Sequence, residues 1–322
     1  MTLAEQSTGF TKRSLEKRNS TARVLDVGFW GFTLLLAIGA GAVLLWIILQ
    51  TAASAWPAIR QFGVVGFVFG TTWNPVTNVY GILPMIYGTL VTAFIALVIA
   101  VPLGVGVAIF LTEGFAPKWV TTPIAFAIEL IVAIPSVVLG IWGIFVLIPF
   151  IRPFFTFLNS YLGWIPIFGG PNPRGNSLLL VGLVLSIMIV PIIISITRST
   201  FEVLPRELRN GSLALGATRW ETILRVLIPA GLSGIISGVM LGMGRALGET
   251  MVAAMLVGNA NRIDISWIQP GSTITALIAS QFGEAGRVQV SALMYAGLVL
   301  MILALIVNIL AEVIIRRFQN IE

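Results

Sequence analysis

The chain has 322 residues, of which 57% are hydrophobic and only 10% charged; its mean hydropathy is +0.99 and its formal net charge +6. Ordinary globular domains carry roughly 25% charged residues, so this chain has too little charge for a water-facing surface, and its natural solvent is lipid. Cysteine and histidine are both absent, which excludes disulfides, thiolate metal sites, cysteine nucleophiles and histidine-based acid–base catalysis; no metal site is expected.

In chain order, residues 1–26 are polar and basic, with Lys12, Arg13, Lys17, Arg18 and Arg23. They read as a cytoplasmic tail, because the apolar run that follows exceeds the roughly 7–15 residues of a signal-peptide core. A membrane-crossing helix needs ~20 predominantly apolar residues. Six stretches qualify, at about 28–50, 84–112, 121–150, 177–197, 229–257 and 290–315. Runs this continuous do not suit a β-barrel, whose strands alternate apolar and polar residues over ~10 positions. The expected fold class is an all-α polytopic membrane protein with six transmembrane helices. Residues 27–317 form the membrane domain and 318–322 a short cytoplasmic end.

Arg198, Arg206, Arg209, Arg219 and Arg225 crowd the connection between the fourth and fifth spans, and Arg316 and Arg317 follow the last. The opposite side receives Arg60, Arg152, Arg174, Arg262 and Arg287, spread over longer segments. The positive-inside rule therefore puts both termini in the cytoplasm, and topology accounts for the basic clusters without nucleic acid. Segments 51–83, 151–176 and 258–289 then lie outside. They carry Trp56, Trp73, Pro75, Tyr80, Trp164, Trp267 and Pro270, which suit interfacial belts, ordered turns and the docking of a soluble partner.

The third span holds Glu129 and, after Ile134, Pro135; a proline lacks the backbone donor and kinks a helix, as a hinge or, the favoured reading, as a packing bend. The loop 199–228 carries the most local information. Leu208, Leu213 and Leu215 form a short apolar series that Gly216 can end in a left-handed turn. Thr218 and Glu221 then make a Thr-x-x-Glu capping box that opens a second helix. Pro229 marks re-entry into the bilayer. Such a hairpin is a handle for another protein, or a plain connecting loop.

On the fifth span Arg245 lies ~24 Å along the helix from Pro229. A guanidinium at that depth costs about 2.5–3.5 kcal/mol on insertion scales, and so is expected to face a cavity or a charged partner. Glu249, four residues on, is on the same helical face and can be that partner, and Glu129 can be another. The pair either fixes helix register or serves a translocated anion, for which a guanidinium is a permanently charged, forked donor. Gly234, Gly238 and Gly242 repeat every four residues on this span, with Gly244 and Gly248 as a second pair. Small residues at that spacing let helices approach closely, within the bundle or against a second chain.

No G-x-x-x-x-G-K-[ST] phosphate loop occurs; the only lysine beyond the tail is Lys118, in Gly-Phe-Ala-Pro-Lys. ATP is not bound by that route.

Asn210-Gly211-Ser212, three residues, Gly216, nine residues, then Val226-Leu-Ile-Pro229 resembles the EAA loop of ABC-importer permeases. It departs at the head, with Asn210 in place of Glu and Gly211-Ser212 in place of two Ala. Gly244-Arg-Ala-Leu-Gly-Glu-Thr-Met251 is similar to the signature of phosphate-specific permeases. So are Trp73 to Pro84, Glu129 with Ile134 to Gly143, and Pro270 to Ala279. Together these resemble the PstC-type permease subunit of phosphate-specific ABC importers, a type I importer fold, across roughly residues 28–317.

The resemblance implies a phosphate permease of the bacterial inner membrane and not an enzyme. Asn210, Gly211, Ser212, Gly216, Ala217, Thr218, Glu221 and Pro229 would couple it to an ATPase, and Arg245, Glu249 and Glu129 would lie on the path. It also implies a second homologous permease; by their spacing Gly234, Gly238, Gly242 and Gly248 are expected at a helix interface, within the bundle or against that chain. Two ATP-binding subunits holding ATP-Mg and an external phosphate-binding protein would complete the complex, with no cofactor on this chain. Sulfate or molybdate remains open as cargo. An ion-coupled transporter or an intramembrane enzyme working through Glu129 or Glu249 is the reading of a different class.

Overall fold

The computed structural model describes residues 20–319; the outermost parts of the expected cytoplasmic tail and C-terminal end lie outside the described residues. The chain divides into two units, up to Ala53 and from Ser54 on. The first is the greater part of helix α1 (Ser20–Phe62), whose apolar side chains from Val27 to Leu49 are mostly well exposed. A helix apolar on every side has no face suited to water.

In the second unit, the end of α1 is followed by a short helix α2 (Val64–Val68) and a two-stranded hairpin, Trp73–Asn74 (β1) against Val79–Tyr80 (β2). The Asn74 side chain accepts from the Val76 and Thr77 amides at the turn, and Asn78 takes the positive φ that closes it. Trp73 stacks edge-on against Tyr80, donates to Gln281 Oε1 at 2.8 Å, and meets Phe67, which stacks on Tyr295.

The long helices are α3 (Leu83–Thr112), α5 (Ser136–Leu162), α6 (Leu178–Val203) and α12 (Arg287–Gln319), with α4 (Lys118–Val132) before α5. Between α6 and α12 come α7 (Arg206–Ala214), α8 (Arg219–Ala230), α9 (Leu232–Gly248), α10 (Met251–Leu256) and α11 (Ile274–Gln281). Among the described residues five helices are long and apolar enough to cross a membrane, and a sixth span arises if α8 and α9, bent by 68°, are taken together.

The main core lies where α3 packs along α6 and α9 packs against both. Close approach is enforced by glycine: a Cβ on Gly104 would meet Ile193, and one on Gly182 would meet Ile95.

Two expected spans are corrected. The continuous helix over 121–150 ends at Val132, and Pro135 caps a new helix in extended conformation; the proline interrupts the backbone rather than bending it, since it offers no amide to the preceding turn. The span over 229–257 is broken at both ends, by Gly231 between α8 and α9 and by Glu249, whose backbone is extended between α9 and α10. Hydropathy sees only the apolar run and is blind to such breaks.

The helix expected over 28–50 continues to Phe62, and that expected to end near 150 continues to Leu162. Two π-helical turns, Gly143–Leu147 and Ile223–Leu227, each fall just before a proline, Pro149 and Pro229. A widened turn relieves the bond that the proline cannot make.

Candidate functional site

Two constellations carry the polar chemistry. The first is the hairpin α7–α8. Helix α7 ends as the sequence requires: Gly216 adopts φ +88°, its amide donates to Leu213 O and the Ala217 amide to Ser212 O. This pairing satisfies two carbonyls that the helix end leaves open. Helix α8 opens with the full capping box, the Thr218 amide and hydroxyl donating to Glu221 Oε2, both at 2.8 Å, and the Glu221 amide to Thr218 Oγ1. These donors hold the Glu221 carboxyl below the usual carboxylate range. Ser212 and Thr222 share a hydroxyl–hydroxyl bond of 3.0 Å that ties the two arms. Leu208, Leu213 and Leu215 are exposed, Leu215 to 91%.

Arg209 on α7 reaches Glu113 at the end of α3 through Nε and Nη2, the shortest contact 2.7 Å, and donates to the carbonyls of Phe201 and Leu204 at 2.9 and 3.2 Å. Arg219 lies over the Phe115 ring, which also meets Trp220. A cavity of about 450 Å³ opens beside these groups, with Asn210 on its wall. Sequence reasoning misses the Arg209–Glu113 pair. Each residue is visible only as one charge in a loop or at a span end, 96 positions apart.

The second constellation is the break after α9. Arg245 stands in the last turn of α9, ~20 Å of helical rise from Leu232, where a cation also complements the helix C-terminus. The expected Arg245–Glu249 pair does not form. The helix stops at Gly248, Glu249 turns extended, and the i,i+4 register that would align the two is lost. Among the described residues no ion pair reaches Arg245, and its side chain is exposed on the single chain. The Glu249 carbonyl, freed by the break, accepts from Thr275 Oγ1 at 2.9 Å. The Ile274 amide donates to Thr89 Oγ1 at 3.1 Å, so α11 fastens the interruption to α3. Non-helical backbone at membrane depth survives only where protein or a cavity serves it in this way.

Glu129 is elsewhere. It opens on a cavity of about 500 Å³ walled by Ser195, Arg198, Ser199 and Glu202 of α6, and Arg198 pairs with Glu202 at 2.7 Å. The structure does not bring Glu129 and Arg245 to one pocket. The glycine stripe is also resolved: a Cβ on Gly234 would collide with Thr200, and those on Gly238 and Gly242 would touch Ile193, Ile196 and Ile189 at 3.4–3.6 Å. All three face α6 within this chain. Gly248 is not on that contact, and neither it nor Gly244 has a neighbour within 4 Å of an added Cβ.

The second unit thus joins a helix–turn–helix held on the end of its long apolar helices to a broken span whose arginine has no ion-pair partner among the described residues. The chain belongs to the family of binding-protein-dependent transport system inner membrane components, whose model matches residues 100–320, and within it to the PstC permeases. It is 43% identical over 298 residues to the phosphate transport system permease protein PstC of Xylella fastidiosa (strain Temecula1), covering 90% of this chain and 91% of that one. To the Haemophilus influenzae PstC it is 42% identical over 293 residues, with the same shares covered. The Mesorhizobium japonicum PstC is 40% identical, over 94% of each chain. Among solved structures the fold is similar to a bacterial alginate ABC transporter (TM-score 0.61, 17% identity, 89% of this chain and 95% of that one). It is also similar to the inward-facing MetNI methionine ABC transporter (TM-score 0.51, 20% identity, 74% and 94%). The fold is thus that of ABC-importer permeases, and the chain is a multi-pass membrane transport subunit rather than an enzyme.

Proposed function

We propose that the chain forms half of the translocation path of an ATP-driven phosphate importer in the bacterial inner membrane, with both termini cytoplasmic. The observation that carries this reading is Arg245 at a broken span, with no ion-pair partner among the described residues. A guanidinium at that depth needs a water-filled cavity, a partner chain or an anion, and a discontinuous helix is where membrane transporters place their substrate groups. The relatives named for phosphate transport supply the cargo.

The complex contains a second homologous permease and two ATP-binding subunits that carry ATP-Mg on the cytoplasmic side, with a phosphate-binding protein outside; this chain holds no cofactor. Asn210, Gly211, Ser212 and the exposed leucines of the hairpin face the ATPase. ATP binding there draws the hairpin with it and turns the permease pair outward. Phosphate released from the binding protein meets Arg245, and Glu249, close in sequence but not bonded to it, keeps the anion from binding too firmly to leave. Glu129 acts further along, at the α6 cavity.

The test is radiolabelled phosphate uptake into proteoliposomes holding the whole complex, with ATP inside and binding protein outside, and sulfate and molybdate as competitors. ATP-dependent uptake that resists both competitors is the expected result. Preference for another oxyanion would remove the cargo assignment, and uptake indifferent to ATP but following an ion gradient would remove the importer reading.

A further inference from the structure

Arg209 uses its guanidinium on three pieces of chain at once. Nε and Nη2 grip the Glu113 carboxylate at the end of α3, Nη2 also donates to Phe201 O inside the last turn of α6, and Nη1 donates to Leu204 O just beyond that helix. The Arg209 and Glu113 side chains are 21% and 11% exposed, so the pair is largely removed from water. A forked, planar donor holding a carboxylate and two helix-end carbonyls has far less play than a single-point contact.

Helices α3 and α6 are the pair with the most extensive mutual packing in the second unit, and α9 with Arg245 packs on both. The only covalent routes from α7 to that core are the short link to α6 and the Gly216 turn leading through α8. Without the arginine, α7 could pivot about the Leu204–Pro205 link, where the backbone is extended.

The geometry points to Arg209 and Glu113 as positioning residues of the transport cycle: a joint that makes the hairpin and the ends of α3 and α6 move as one piece. This inference rests on the reading of 199–228 as the ATPase-coupling hairpin. Displacement of α7 by the motor is then delivered to the two helices on which α9 leans, rather than being absorbed as rotation of α7. Glu113 contributes although it lies outside the hairpin, at the end of a different span.

The absence of native cysteine makes the test direct. In the assembled complex, spin labels at Ala214, at the end of α7 and away from the leucines set against the ATPase, and at Val203, both exposed on the single chain, report the hairpin-to-α6 distance with and without ATP. In the parent complex this distance is expected to stay fixed through the cycle. A distance that changes with ATP in the parent overturns the joint whatever any variant does.

In Glu113→Gln and Arg209→Gln the distance should vary with nucleotide. Phosphate uptake per ATP hydrolysed should fall by about tenfold or more, the scale of an ordinary coupling free energy, with the four-subunit membrane complex still assembling. A purely structural pair would lower the yield of complex but leave uptake per ATP unchanged. The exchanged double variant Glu113→Arg with Arg209→Glu should recover part of that ratio. Normal coupling in Glu113→Gln beside uncoupling in Gly216→Leu would sink the joint and leave the coupling hairpin standing; normal coupling in both would sink the hairpin reading itself.

Discussion

The hairpin α7–α8 and the break after α9 are both polar interruptions of an apolar chain, and they are built on opposite plans. In the hairpin the principal side-chain groups answer one another within the chain: Thr218 with Glu221, Ser212 with Thr222, Arg209 with Glu113. At the break the backbone is served, by Thr275 on the Glu249 carbonyl, while the Arg245 side chain has no ion-pair partner among the described residues. A closed network suits a part that must transmit a displacement without deforming. An open charge suits a part completed by something that comes and goes.

The sharpest way to break this contrast is Arg245→Gln. If the open arginine serves the cargo, uptake should fall by about a hundredfold or more, as when a charge-assisted contact of a few kcal/mol is removed, with assembly and basal ATP hydrolysis retained. Failure to assemble would make Arg245 structural and the two regions alike.

Next is a glycine comparison. Gly234→Leu should destabilise the chain by roughly 1–3 kcal/mol through overpacking against Thr200. Gly244→Leu has open space in this chain, so a comparable loss of assembly there would locate the second permease against the open face, and a neutral result would exclude it. Thermal unfolding and complex yield read both.

A smaller effect is expected from Gly216→Leu. Its positive φ is strained for a residue with a Cβ by roughly 1–2 kcal/mol. The variant should insert normally and lose uptake per ATP; unchanged coupling would detach the hairpin from transport.

The smallest belongs to the cap. Thr218→Ala should cost about 1 kcal/mol of local stability, seen as faster amide exchange at the start of α8. Because Glu221 is held below its usual range in the folded hairpin, its contribution is present above the unfolded pKa and is lost as pH falls through the folded one. Protection at α8 should therefore decline on acidification in the parent and not in Glu221→Gln.

Legibility in the sequence follows the same division. Gly216 and the Thr218–Glu221 box are local signals, their geometry set by residues within four positions, and residue order alone is enough to draw the hairpin. Membrane character is legible from composition, and the family from the spacing of its motifs. The breaks are not. Pro135 suggests a bend yet ends a helix, and Glu249 belongs to a face that no longer exists once Gly248 closes α9. Pairings between distant segments, such as Arg209 with Glu113 or Glu129 beside the Arg198 cavity, depend on which helices lie side by side, and no local pattern encodes that.

The 68° corner between α8 and α9 is turned by a single residue, Gly231, whose added Cβ would strike the Phe201 ring. Such corners ordinarily tolerate changes in chain length, since loops absorb them. Here there is no loop to absorb anything. One residue inserted at Gly231 would rotate α9 by about 100° around its axis, since 3.6 residues complete a turn. The face that packs on α6 would swing outward and Arg245 would point into a different quarter of the membrane. Register at this corner is thus as binding a constraint as any side chain: the length of the polypeptide between the hairpin and Arg245 fixes which way that arginine faces.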